Sequence, residues 1–476
     1  MYGDDALFCR QLNVALIGAC SMHDSQSTAI YTPALALVVA LLSLLVFAPG
    51  AASAQSDPAP SSGAVQLPDG TPGGGRFTTP VAVPNTLNLG DTDPNGIRSN
   101  VADTVRNCLE ISGYFDVYGP DRYFFDPSNE GMTAASINFE NWYNTGAQGL
   151  IKTAFRVAGN QVSLDFRLYN VDTQEQIAIN WTPGATSLDG VRGETYAFIN
   201  AVIEYYTGSP GVFGSMIAFT GGAAGGGKHI YAIGMDGQGF GRVTSEGDIN
   251  ILPSWGPGGE IMYTSFRRGN PDLYIGSDPG ARPLSARPGF NSGAVLSPGG
   301  GEIAMTLSVG GNADIYVVNA AGEILRQCTE NAAEDVSATW SPDGGQIAFV
   351  SDRSGGPQVY VMNSDCSGQR RVTFAGGYNT EPDWSPTGDL IAFTGRDSRN
   401  RFDIFTVEPG TGFISRITQD QGDNKSASWS PDGRHLVFSS TRGGSSGSLY
   451  VSTADGNYQH NITPDGQGYE TPRWQR

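Results

Sequence analysis

Gly443-Gly-Ser445-Ser-Gly447 satisfies the G-x-S-x-G pattern that presents a serine nucleophile in hydrolases. Such a serine needs a strand, a sharp turn and a helix around it, and a downstream histidine to take its proton. Here the run is a Gly/Ser loop between the apolar segments Leu436-Val-Phe438 and Leu449-Tyr450, and the later histidine, His460, lies 15 residues on. It reads as a connector. Asp91-Thr-Asp93-Pro-Asn95-Gly96 begins like a calcium loop, but its twelfth position, where a bidentate carboxylate closes the cage, is Ala102. A polar turn leading into a helix at Ile97 is the expectation. His23, His229, His435 and His460 lack metal-ligand spacing and read as surface or strand-end residues. These patterns imply no catalytic residue, no metal and no cofactor.

What repeats is a different motif. Trp255-Gly-Pro-Gly-Gly, Leu296-Ser-Pro-Gly-Gly, Trp340-Ser-Pro-Asp-Gly, Trp384-Ser-Pro-Thr-Gly, Trp429-Ser-Pro-Asp-Gly and a bare Trp474 follow one another at intervals of 41, 44, 44, 45 and 45 residues. Short β-rich units at that period are propeller blades, because one four-stranded sheet cannot cover its own faces. Each motif leads into an apolar run of the Ile347-Ala-Phe349 kind, then an alternating aromatic run of the Val359-Tyr360 kind, then a run ending like Val372-Thr373. Ser-Pro-Asp-Gly carries the residue set of a type I turn and reads as a hairpin connector. The repeated aromatics read as core between blades, since one position in every sheet faces the neighbouring sheet. The first copy begins at Ile217 with no Trp strand before it, whereas Glu470 to Trp474 is a Trp strand alone. Joined, they make one blade and leave no open edge, so six blades are expected over residues 211–476.

The preceding chain mixes types. Ile97, Val101, Val105 and Leu109 recur at helical spacing, Leu150–Val157 and Val162–Tyr169 alternate as strands, and Val191–Tyr206 is helical again. The fold class is therefore mainly β, with a small α/β domain over 77–208 before the propeller and Gly208-Ser-Pro-Gly211 as a hinge. Residues 55–76, rich in Pro, Gly and Ser, form a flexible tail. Ala34–Phe47 is too short to span a bilayer but suits a signal-peptide core, and Ala52-Ser-Ala54 places cleavage between Ala54 and Gln55. Residues 1–54 are thus a signal peptide, with Met22 as the alternative start, and the mature chain does not span a membrane. Ile17-Gly-Ala-Cys20 resembles a lipoprotein cleavage box but follows only a short apolar run, Leu12–Ala19, and is read as chance.

Cleavage leaves Cys108, Cys328 and Cys366, an odd number. Cys108 shares a helix face with Val101 and Val105 and reads as a buried structural thiol. Cys328 and Cys366 occupy non-equivalent places in successive blades, so no disulfide is assigned. A net charge of −19 opposes binding to nucleic acid or an anionic membrane surface.

The Trp-Ser-Pro-Asp-Gly turn, the Ile-Ala-Phe, Ile-Tyr-Val and Arg-Val-Thr type strands, repeated six times after a smaller domain, resemble the TolB family of periplasmic propeller proteins of the Tol-Pal system. The resemblance covers about 400 residues. It implies a periplasmic interaction protein that is not an enzyme, linking the lipoprotein Pal to TolA and supporting outer-membrane integrity and constriction at division. It also implies that one mouth of the propeller receives Pal and the mature N-terminal segment engages TolA. The loops entering each Trp strand ring that mouth, and variable loops on a rigid scaffold are where recognition sits. The candidate partner-binding residues are Asp248, Asn250, Phe290, Asn291, Gly293, Asp335, Val336, Asn379, Thr380, Glu381, Asn424, Lys425 and Glu470. The Pal-facing loops of the family correspond to Phe290–Gly293 and Asp335–Val336, although the identities here differ. Two other classes compete. A propeller-lidded serine peptidase needs roughly 200 further residues carrying a nucleophile elbow, Asp and His; a sugar-binding or lyase propeller would be told apart by a glycan array or metal analysis.

Overall fold

The computed structural model describes residues 78–90, 92–223, 226–444, 446–463 and 466–476. The signal segment, the Ala54/Gln55 cleavage site, the tail over 55–76, Asp91 and Ser445 lie outside them. Among the described residues, six four-stranded antiparallel sheets follow a mixed sheet with its helices.

The amino-terminal lobe is built on β1 (Thr79–Ala82), β2 (Leu87–Asn88), β3 (Phe115–Tyr118), β4 (Gly149–Ala158), β5 (Gln161–Asn170), β6 (Gln176–Ile177) and β7 (Gly184–Ser187), in the order β3-β1-β4-β5-β6 with β2 on β4 and β7 on β5. Helix α1 (Ile97–Ser112) buries Ile97, Val101, Val105 and Leu109, the residues at helical spacing, and ends at Gly113, whose φ of +76° takes the left-handed cap. A short helix α2 (Phe139–Thr145) follows, and α3 (Val191–Thr207) buries Phe198, Ile199 and Val202 against the same core.

In the ring, the connector turn forms as the residue set requires: Gly344 N–H donates to Ser341 O at 2.9 Å, and Gly388 and Gly433 repeat the bond to Ser385 and Ser430 at 3.0 Å. The threonine ending each third run has a task as well. Thr244, Thr329, Thr373 and Thr418 each accept, through Oγ1, the N–H of Ile230, Ile315, Val359 or Ile404 at 2.9 Å, pinning the outer strand to its neighbour. The tryptophans stitch blade to blade. Trp255, Trp340 and Trp429 donate from Nε1 to the carbonyls of Arg473, Val295 and Asp383, each in the inner strand of the preceding blade, at 2.9, 3.1 and 3.1 Å. Glu470–Trp474 pairs antiparallel with Met216–Gly222, Trp474 opposite Ile217, so the last strand completes the first sheet.

Three expectations need correction. Cys328 and Cys366 are disulfide-bonded, joining the end of the third blade to a turn of the fourth. Non-equivalent repeat positions can face each other because adjacent blades present opposite sheet faces. Gly208-Ser-Pro-Gly211 is not a free hinge, because the lobe packs on the ring through a shared apolar cluster that includes Phe198, Val202, Ile217 and Leu449. Asp236 also receives Arg192 at 2.8 Å and Tyr196 Oη at 2.6 Å, and Arg434 donates to Thr207 O at 3.0 Å. His229 and His435 do stand at strand starts, in Lys228–Gly234 and His435–Ser440, but are buried rather than superficial; His435 Nε2 lies 2.9 Å from Ser112 O at the end of α1. Cys108 carries a free buried thiol whose pKa burial pushes up.

Candidate functional site

Each inner strand starts at the same end of the ring, and its first residue decides how the entering loop is held. Asn250, Asn291, Asp335, Asn379 and Asn424 occupy that place and are all fully buried. Three of the four asparagines close their own loops: Nδ2 of Asn250, Asn291 and Asn379 donates to the carbonyl four residues back (Glu246, Arg287 and Ala375) at 2.9, 2.6 and 2.8 Å. Asn424 instead donates to Asp403 Oδ1 at 2.9 Å. Asp335 accepts from Asn331 at 2.7 Å and from Arg353 Nη2 at 3.0 Å. Asp335, a partner-binding candidate in the sequence, does not offer its carboxylate to solvent: the group is wholly covered and committed to Arg353. A buried carboxylate survives only with such partners.

Two residues further on, every inner strand breaks register. Leu252, Gly293, Ser337, Glu381, Ser426 and Thr471 all take positive φ, between 49° and 62°, at a bulge. Of these, Glu381 reaches the next blade, where Ser426 N donates to Oε2 at 3.0 Å and Ser426 Oγ to Oε1 at 2.9 Å. Val336 and Thr380 are buried beside their loop anchors. Asp248 is exposed, Phe290, Gly293, Lys425 and Glu470 are half-buried, and Glu470 pairs with Lys228. The thirteen candidates therefore divide into buried loop anchors and a smaller set that meets solvent.

The mouth is electrostatically uneven. Across the third and fourth blades, Asp314, Glu334, Asp335 and Asp352 crowd together. Burial, with Asp335, Glu334 and Glu330 nearby, pushes the Asp314 carboxyl up to about 6, and burial raises Glu334 and Asp352 too. Across the fifth and sixth blades the character reverses. Tyr378 meets Phe402 edge to face at 5.7 Å, with Arg396 over Tyr378 at 5.1 Å and Lys425 Nζ over Phe402 at 4.2 Å. Tyr378, Arg396 and Phe402 were missed in the sequence because their loops lack a motif. The available signal was divergence: where Phe402 stands, the other copies have Lys228, Pro271, Ala313, Pro357 and Gly447.

Among the described residues, no group of three or more His, Cys, Asp or Glu is placed to hold a metal ion, and no helix is long and apolar enough to cross a membrane.

Residues 72–177 match the family model described as the TolB amino-terminal domain, and residues 203–404 the one described as the TolB beta propeller domain. The Tol-Pal system protein TolB of Anaeromyxobacter dehalogenans strain 2CP-C is 44% identical over 395 residues, which is 81% of this chain and 88% of that relative. The Tol-Pal system protein TolB of Desulfosudis oleivorans is 37% identical over 255 residues, 53% of this chain and 58% of its own length. The crystal structure of TolB from Acinetobacter baumannii matches with a TM-score of 0.72, covering 84% of this chain and 96% of that one; at 23% identity the likeness is one of fold.

Proposed function

Because this chain belongs to the TolB family of Tol-Pal system proteins, components of the bacterial cell envelope, we propose that it works as a periplasmic interaction protein linking Pal to TolA. In this reading export leaves a tail over 55–76, a lobe over 77–208 and the ring over 211–476. The tail from Gln55 engages TolA and the mouth receives Pal, and through both the protein supports outer-membrane integrity and constriction at division. It acts by binding and not by catalysis.

One observation carries the reading: the ring repeats its anchors, turns and tryptophans in copy after copy, while the mouth residues that meet solvent change from blade to blade. Repetition serves the scaffold, and variation on a rigid scaffold serves recognition. The Cys328–Cys366 disulfide supports an oxidising compartment such as the periplasm. The test is isothermal titration of the mature chain with Pal. Wild type should bind, and Asp248→Lys with Phe290→Ala should weaken binding at least about tenfold without moving the thermal melt. Absence of binding by the wild-type chain would end this reading.

A further inference from the structure

The Tyr378–Phe402 sector differs chemically from the rest of the mouth. Arg396 and Lys425 have no carboxylate partner among the described residues; what each faces is an aromatic ring. The acids of the adjoining loops, Glu381 and Asp423, are already engaged. Glu381 is bonded by Ser426 and Thr394, at 2.7 Å for Thr394 Oγ1, and Asp423 takes the Phe402 N–H at 3.3 Å and Arg401 at 3.6 Å. In a chain of net charge −19, two cations without acid partners on one pair of touching rings are conspicuous.

The other copies show that the fold does not require them. Where Lys425 stands they have Ile251, Ser292, Val336, Thr380 and Glu470, and where Arg396 stands they have Gly222, Phe266, Ser308, Asp352 and Thr441. The ring closes equally well with apolar, small or acidic residues there. Arg396 is exposed and Lys425, Tyr378 and Phe402 are half-buried, so the sector is reachable from solvent.

We propose that this sector is a receptor for an acidic side chain of the protein docked at the mouth, and that it sets the rotational orientation of that partner. The proposal rests on reading the mouth as a docking face. An acidic side chain entering this sector gains a charge-assisted bond from Arg396 or Lys425, with the second cation adding attraction across the Tyr378–Phe402 pair. Across the third and fourth blades the same partner meets the half-buried Glu334 and Asp352, with Asp314 and Asp335 covered behind them, and must present basic or neutral groups. A mouth polarised in this way admits one orientation, because rotation of the partner brings like charges together.

Two measurements test the proposal on the mature full chain. The first is fluorescence anisotropy of labelled hexaglutamate and hexalysine at low ionic strength. Hexaglutamate should bind wild type and bind Arg396→Glu or Lys425→Glu at least about tenfold more weakly, while hexalysine binding does not fall. Arg396→Gln and Lys425→Gln, which remove the charge but keep a polar, flexible side chain, should show the same trend, with circular dichroism checking that each variant keeps its fold. Hexaglutamate that does not bind, or binds wild type and variants equally, overturns the sector. The second is titration with Pal. Binding of Pal equally to wild type and variants also overturns the sector but leaves the docking reading intact. Hexaglutamate binding at Arg396 and Lys425 without any Pal binding sustains the sector and ends the Pal assignment.

Discussion

Trp474→Ala tests ring closure most directly. The indole is 3% exposed, sits in the shared core with Phe198, Ile217 and Leu449, and donates from Nε1 to Ser215 Oγ at 2.8 Å. Truncating a fully buried Trp in a packed core costs about 3–5 kcal/mol through lost burial and the cavity left behind. The lost hydrogen bond adds about 1 kcal/mol. Ser215 Oγ keeps its own donation to Val212 O at 2.7 Å, so no buried donor is stranded and the total stays near about 5 kcal/mol. Trp255 occupies the same place in the repeat but is less buried, so Trp255→Ala, which also loses the bond to Arg473 O, should cost less than Trp474→Ala. Urea unfolding followed by near-ultraviolet circular dichroism measures both. If Trp474→Ala unfolds at the wild-type midpoint, the final strand is not what closes the ring.

Asp314→Asn should stabilise the protein at neutral pH. Its carboxyl is raised from the ordinary 3.8 to about 6, so the folded state binds the extra proton between those values and stability falls as pH rises through that window. The variant should match wild type below about pH 4 and gain up to about 3 kcal/mol above about pH 6; equal unfolding midpoints at pH 8 would contradict this. Replacing both Cys328 and Cys366 by Ala removes a cross-link spanning 38 residues, which should cost about 4 kcal/mol by loop entropy. Non-reducing and reducing melts of wild type should differ in the same direction, and identical melts would show the bond to be absent. Asp335→Lys should lower stability by about 3 kcal/mol by stranding Arg353, and an unshifted urea midpoint would mean that Asp335 is a rim residue after all.

The sequence by itself determined the architecture, because period and residue type are local properties. A turn of the Trp-Ser-Pro-Asp-Gly kind every 41 to 45 residues, runs that alternate, and an unmatched strand at each end of the array are enough to imply blades and their closure. The helical faces of Ile97–Leu109 and Val191–Tyr206 were legible for the same reason. Exposure was not. Asn250, Asn291, Asp335, Asn379 and Asn424 are polar residues in loop-entry positions, yet all are buried, because an amide or carboxylate that satisfies its own loop can be covered at little cost. The same limit applies to Cys328 and Cys366 and to Tyr378, Arg396, Phe402 and Lys425. Whether two side chains from different blades meet depends on how adjacent sheets are rotated against each other. That rotation is set by packing across the whole ring, so only the tertiary structure could decide which residues the mouth presents.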